Sequence, residues 1–340
     1  MQSFRDPAIL FFLFGIVAGL LKSNLEIPPQ ISRFLSLYLL MALGLKGGFA
    51  LAKSGLTVEV SISLGCALLL ATVVPLLGYA LLRRFLSGFD AAALAATYGS
   101  VSAVTFITAV QYLDQRGLPY GGHMAAAMAL MESPAIILAV VLANMVRRRQ
   151  KKSGTASNQS TPAGAATSAP HLSAASDAPL GKVLHEALTD GAQLLLLGAM
   201  LVGILAGAKG EAAMQPFAVD LFKGMLAFFL LDMGLLAARN MGELKGKSAW
   251  LLAYAIGVPL LHASMALALG WLLGVSAGNT ALLMVLAASA SYIAVPAVIR
   301  QAIPEANPSL YFGMSLGLTF PFNILVAIPM YVAVAHHVIG

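Results

Sequence analysis

Two short stretches decide how this chain is read: Leu94–Thr105, LAATYGSVSAVT, and Leu286–Pro296, LAASASYIAVP. Each lies inside an apolar run long enough to cross a bilayer, and each interrupts that run with Gly, Ser, Thr or Pro. They open alike and lie about half the chain apart. Small polar residues in mid-span suit a helix that opens and presents its backbone to a polar ligand rather than to lipid. The expectation is a secondary transporter built from two inverted repeats, with substrate held between the two breaks.

Composition agrees. Of 340 residues, 59% are hydrophobic and 10% charged, and mean hydropathy is +0.86. A soluble domain carries about 25% charged residues, so the chain reads as a polytopic membrane protein. The net charge of +6 is not a nucleic-acid signal, because the basic residues cluster between apolar runs. The single cysteine, Cys66, excludes an intrachain disulfide. Met1–Pro7 leads into an apolar run with no small-residue cleavage site, so the first span is expected to be retained.

Apolar runs of about 17–25 residues give ten candidate spans: 8–21, 31–51, 57–82, 90–112, 122–146, 183–207, 217–238, 248–273, 278–302 and 308–335. With spans alternating, 14 of the 20 Lys and Arg residues fall on one side, among them Arg33, Arg83, Arg84, Arg147–Arg149 and Arg300. That side is predicted to be cytoplasmic, with both termini outward. Residues 147–182, beginning RRRQKK and continuing in Ser, Thr, Ala, Gly and Pro, form a cytoplasmic linker. It reads as a tether between halves, or as a regulatory docking segment. Residues 1–146 then form the first repeat and 183–340 the second.

Matches between the halves recur in the same order. Gly15-IVA-Gly19 corresponds to Gly203-ILA-Gly207, and Tyr38-LLMALG-Leu45 to Phe228-FLLDMG-Leu235. The two opening stretches follow, then Ser133-Pro134 and Phe320-Pro321. Five spans per half is odd, so the second copy enters from the opposite side. The fold class is an all-α polytopic membrane protein of ten transmembrane helices in two inverted five-helix repeats with broken, crossing helices. The glycine pairs Gly15/Gly19, Gly44/Gly48 and Gly203/Gly207 are assigned to close helix packing.

An opened helix frees N–H groups at one new end and C=O groups at the other, suited to a small anion and to a cation such as sodium respectively. Candidate substrate-binding residues are Gly99, Ser100, Ser102, Ser289, Ser291 and Tyr292. Candidate cation ligands are Thr105, Glu132, Thr319 and Asn323. Glu132 is an intramembrane carboxylate, which costs about 2.5–3.5 kcal/mol by insertion scales and should face a cavity, an ion or a partner. Its repeat equivalent falls near Thr319, with Asn323 one turn on. The plainer alternatives are small residues that let helices approach and a buried hydrogen-bonded acid. Lys46 and Asp232 are expected to form a structural ion pair. His262 is expected to be a satisfied core residue. His336 and His337 end the chain as a weak metal guess.

Beyond these residue-level readings, Ser289–Gly313, SASYIAVPAVIRQAIPEANPSLYFG, resembles the signature of the sodium-dependent bicarbonate transporter family. The run from Arg300, RQAIPEANPSLYFG, is its most specific part. Tyr98-GSVSAVT is similar to the family's Gly-x-Val-Ser element, and Met131-ESPA to its Met-Asp-x-Pro-Ala. The resemblance covers nearly the whole chain. It implies core and gate domains each drawn from both repeats, and a bacterial inner-membrane homotrimer importing bicarbonate with sodium as coupling ion by an elevator-like movement. It also implies a PII-like regulatory protein as partner on the cytoplasmic side. No other cofactor is expected, and no nucleic acid. Three departures stand out: Tyr292 replaces a family aspartate, Glu132 replaces an aspartate, and Ala103 replaces a serine. The runner-up functions are a transporter of a different small anion and a ligand-binding receptor or regulatory protein on the same fold. The chain carries no HExxH or GxSxG motif, so an enzyme ranks last.

Overall fold

A computed structural model describes residues 6–156, 190–244 and 247–340, side chains of 149–156 and Gln301 excepted. Most of the predicted linker and the start of the predicted sixth span lie outside the described residues. The described chain is helical throughout. Its first half contains α1 (Pro7–Leu20), α2 (Pro29–Ser54), α3 (Val58–Leu82), α4 (Gly88–Gly99), α5 (Ala103–Gln115) and α6 (Met124–Ala156). Its second half contains α7 (Gly191–Gln215), α8 (Phe222–Met241), α9 (Ala249–Leu273), α10 (Ala277–Ala288) and α11 (Ala294–Ala302). The last helix, α12, runs over Pro308–Val338 with π-turns at Ser315–Thr319 and Asn323–Ala327.

Short polar residues start these helices. Asp6 accepts from Ala8 N–H, Thr57 from Val60, Ser87 from Asp90, and Asp190 from Ala192 and Gln193. Each supplies an acceptor to the otherwise unpaired first-turn donors. α2, α3 and α9 run to 25 or 26 residues, about 38 Å at 1.5 Å per residue and enough for a hydrocarbon core about 30 Å thick. Seven helical stretches among the described residues are long and apolar enough to cross a membrane, one of which, Gly191–Leu244, contains both α7 and α8. α1 and α10 are shorter apolar helices. This is a multi-pass membrane protein.

Packing pairs helices that are far apart in the chain. α1 lies along α8 and α2 along α7, while α3 packs on α4 and α6, α9 on α10, and α10 on α12. Glycine makes the first two contacts possible. A Cβ at Gly15 would stand 3.0 Å from Leu235 N, one at Gly19 2.6 Å from Ala238 Cβ, and one at Gly48 2.9 Å from the Gly203 Cα. Gly207 differs from the packing role expected of it. It adopts φ +56° and ψ −150° inside α7 with open space around it, and so bends the chain.

The expected Lys46–Asp232 pair is not formed. Lys46 Nζ lies 2.5 Å from Asp114 Oδ2 at the end of α5, and Tyr120 OH donates to the same carboxylate at 2.8 Å. Asp232 lies beside Ser32 and within reach of Arg239. Ser32 and Lys46 are 14 residues apart on α2, about 21 Å along the helix. Because α2 runs mainly along α7, the two charges sit at opposite ends of the α2–α8 contact.

Candidate functional site

Both sequence-marked stretches are true helix breaks. α4 ends at Gly99, and α5 begins after Ser102, whose extended backbone (φ −108°, ψ 112°) makes it the N-cap. α10 ends at Ala288, where Ser289 turns extended, and α11 begins at Ala294. Small residues permit this opening. Gly99 is packed against the Pro75 ring, whose Cδ would be 2.9 Å from an added Cβ, so no larger residue fits there without displacement.

The two breaks are fastened to each other. Ser102 N–H donates to Ser289 Oγ at 3.0 Å, and Ser291 N–H donates to the Thr97 carbonyl at 2.8 Å. Ser289 Oγ donates in turn to the Leu286 carbonyl at 2.8 Å. Ser102 Oγ accepts from Thr105 N–H at 3.2 Å and from the Thr105 hydroxyl at 3.0 Å. Ser291 Oγ accepts from Val295 N–H at 3.2 Å. Ser100 Oγ donates to the Glu132 carbonyl at 3.3 Å and so ties the first break to α6. Ser100, Ser102, Thr105, Ser289 and Ser291 are all buried. Each opened backbone is therefore held by the other, as a chain with unpaired buried amides could not be.

A cavity of about 520 Å³ opens beside this junction, lined by Ser102 and Ala103 at the start of α5, Tyr292 and Ala294 at the start of α11, and Glu132 from α6. Arg33, Asp190 and Gln193 complete its polar wall. At about 30 Å³ per water, it holds a hydrated small ion with room to spare. At α11 the Val295 N–H is taken by Ser291 Oγ, and Ile293 at the N-cap position supplies no further side-chain acceptor. Helix N-termini present N–H groups and the positive end of the dipole, which favours an anion. The Tyr292 ring packs on Phe320 at 4.9 Å between centroids, and its buried hydroxyl lies beside Ser102.

The expected cation residues occupy different surroundings. Thr105 is bonded to Ser102, and Glu132 lines the cavity with its carboxylate near Gln193 and Asp190. The Thr319 hydroxyl donates to the Ala255 carbonyl at 2.7 Å and bonds Tyr98 OH at 2.6 Å. Asn323 Nδ2 donates to the Ala288 carbonyl at 3.0 Å, leaving its Oδ1 buried and without a partner among the described residues. His262 also reaches the end of α10, at the Ala287 backbone, and its Nδ1 has no partner among the described residues. The carbonyl end of α10 thus receives protein donors from Ser289, Asn323 and His262.

Gln193, Asp190 and Arg33 were not anticipated at the site. Asp190 and Gln193 sit at the start of α7, beside a linker with no periodic signal, and Arg33 reads in sequence as a topological charge. Only the packing of α2 and α7 against the breaks brings them to the cavity.

A second cavity of about 610 Å³ lies further along α5, walled by Lys46, Lys53, Asp114 and Glu211. Leu43, Phe106 and Met124 touch this cavity, while Leu40, Val104 and Met128 touch the first. All six are buried. Along these three helices the residues that touch one cavity and those that touch the other are only two to four positions apart.

No curated protein matches the chain. A family model does, and it spans residues 7–336, both helix breaks included. With helices broken at two sites, fastened to each other and opening on a common cavity inside a multi-pass bundle, the chain belongs to the Na+-dependent bicarbonate transporter superfamily.

Proposed function

We propose that the protein is a secondary transporter that imports a small anion, bicarbonate, coupled to sodium, by alternating access. The observation that carries this reading is the joint lining of one cavity by the first turns of α5 and α11, two half-helix N-termini from distant parts of the chain. Ser102, Ser291 and the Tyr292 hydroxyl add donors there. An anion held by them needs no fixed positive side chain at close range.

Ten spans in two inverted repeats account for the packing. Asp90, in the first turn of α4, accepts from Asn307 N–H at 2.8 Å, while Asn279, in the first turn of α10, accepts from Gly121 N–H at 2.6 Å. Each contact joins the start of one broken helix to the loop that follows the other. The pairing of α1 with α8 and of α2 with α7 has the same exchanged character. In this reading α1, α2, α7 and α8 form the gate, and the remaining helices form the core.

The apolar septum between the two cavities supports alternating access. The cavity at the breaks carries Arg33 and Asp190, on the side where Lys and Arg predominate, and so faces the cytoplasm. On the opposite side, Lys46–Asp114 joins gate to core. Sodium would be carried as co-substrate. Glu132, at the cavity wall, and Asn323, whose Oδ1 has no partner among the described residues, are the candidate ligands the geometry favours. The homotrimer and the PII-like partner are proposed from the family resemblance.

Labelled bicarbonate uptake into proteoliposomes tests the reading. Uptake stimulated by an inward sodium gradient is expected. Equal uptake with and without sodium would remove the coupling, and no uptake of bicarbonate would remove the substrate.

A further inference from the structure

The run RQAIPEANPSLYFG has no part in lining the cavity, yet it is the most distinctive stretch of the sequence. Its structural partner is Arg147, the first residue of the basic run in the C-terminal part of α6. Arg147 is 6% exposed, unusual for arginine unless fully paired. Its Nε donates to Glu305 Oε1 at 2.8 Å and its Nη2 to Glu305 Oε2 at 2.7 Å, a bidentate fork. Nη2 also donates to the Ala302 carbonyl at 2.8 Å, and Nη1 to Asn144 Oδ1 at 2.9 Å. The guanidinium lies 5.8 Å from the Phe89 ring centroid in α4.

Ala302 is the last residue of α11, and Ala294, its first, lines the cavity. At nine residues, α11 is about 13 Å long. One end meets the arginine and the other meets the site. The following loop is held as well, by Asp90 accepting from Asn307 N–H and by Asn307 capping Ser309 at 3.1 Å. Arg147 and Asp90 thus connect the outer ends of both broken helices to α6.

We propose that Arg147 is a positioning residue for substrate binding: with Glu305 it clamps the C-terminal end of α11 and so sets where the N-terminal end of α11 stands in the cavity. Arginine is required because one planar fork serves both carboxylate oxygens, a helix-terminal carbonyl and Asn144 together, more acceptors than the three donors of an ammonium can serve. It follows that the basic run within α6 is divided. Arg147 turns into the protein, and Arg148 is exposed. The inference rests on the cavity being the substrate site.

The test uses the full chain in liposomes, with Glu305→Gln and Arg147→Lys. Both are expected to raise the KM for bicarbonate by about ten-fold, from the weakening of charge-assisted bonds, with Vmax per folded protein held within about two-fold of wild type. The second readout is independent of transport. Ile293 is 53% exposed at the start of α11. In a Cys66→Ala background, the modification rate of Ile293→Cys by a soluble maleimide is expected to change several-fold when either clamp substitution is added. Unchanged KM and unchanged labelling in both variants would overturn the proposal, as would losses that only follow the amount of folded protein. If the wild type moves no bicarbonate, the proposed substrate fails, while the Ile293→Cys rates still decide whether the clamp positions α11.

Discussion

Ser289→Ala isolates the bond that joins the two breaks. The Ser289 hydroxyl accepts from Ser102 N–H and donates to the Leu286 carbonyl. The carbonyl keeps a partner when the hydroxyl is lost, because it also accepts from Ser289 N–H at 3.2 Å. The Ser102 amide does not, since the residue is 4% exposed. The cost is therefore that of one buried unpaired donor, about 1–3 kcal/mol, and it falls on the residue that begins α5 at the cavity. If it acts on the binding-competent arrangement, a factor of ten per 1.4 kcal/mol makes this about a 5- to 150-fold rise in KM. Ser291→Ala is the control. It removes an acceptor from Val295 N–H but leaves the Ser291 N–H bond to Thr97 in place, and a lost helix cap costs about 1 kcal/mol. Uptake kinetics at a fixed sodium gradient and thermal unfolding in detergent measure both variants. The expected order of damage is Ser289→Ala above Ser291→Ala, with Ser289→Thr close to wild type. A Ser289→Ala protein that matches wild type in both assays would refute the latch, and so would the reverse order.

Other outcomes follow from the same geometry. Phe106→Ala thins the septum between the two cavities and is expected to let a small ion leak through vesicles without a gradient-driven cycle, while destabilising the core by about 3–5 kcal/mol; tight vesicles with normal coupled uptake would count against the septum. Tyr292→Phe removes a buried hydroxyl that lies beside Ser102, so the melting temperature should change by little. Bicarbonate KM should nevertheless increase, and an unchanged KM would take the hydroxyl out of the site. Glu305 has a pH signature. Its hydrogen bonds from Arg147 hold the carboxyl below the usual glutamate range. A depressed folded-state value means that the unfolded chain binds the proton more readily, so the stability is present above the ordinary pKa and lost as pH falls through the folded one. The stability gap between wild type and Glu305→Gln should be full at neutral pH and close on acidification; a gap independent of pH would show that ionisation of Glu305 plays no part.

Much of the architecture was legible in the chain. Apolar run lengths mark the helices because backbone polar groups in lipid must pair within their own segment. Gly99, Ser102, Ser289 and Ser291 announced the breaks because a lipid-facing helix has no use for such residues at those places. The glycines at 15, 19, 44, 48 and 203 marked close helix contacts for an equally local reason.

Partnerships were another matter. Lys46 and Asp232 suggested a pair by charge alone, and packing gave Lys46 to Asp114 instead. Thr319 read as a cation ligand, yet the π-turn of α12 places its hydroxyl between Tyr98 and the Ala255 carbonyl. Arg147 read as one more topological charge and is in fact enclosed with Glu305. A residue's own chemistry and its spacing determined where the helices run and where two of them open. Which helix lies against which, and so which donor meets which acceptor, was decided by tertiary structure, because a hydrogen bond or ion pair is set by atoms that approach across helices far apart in sequence.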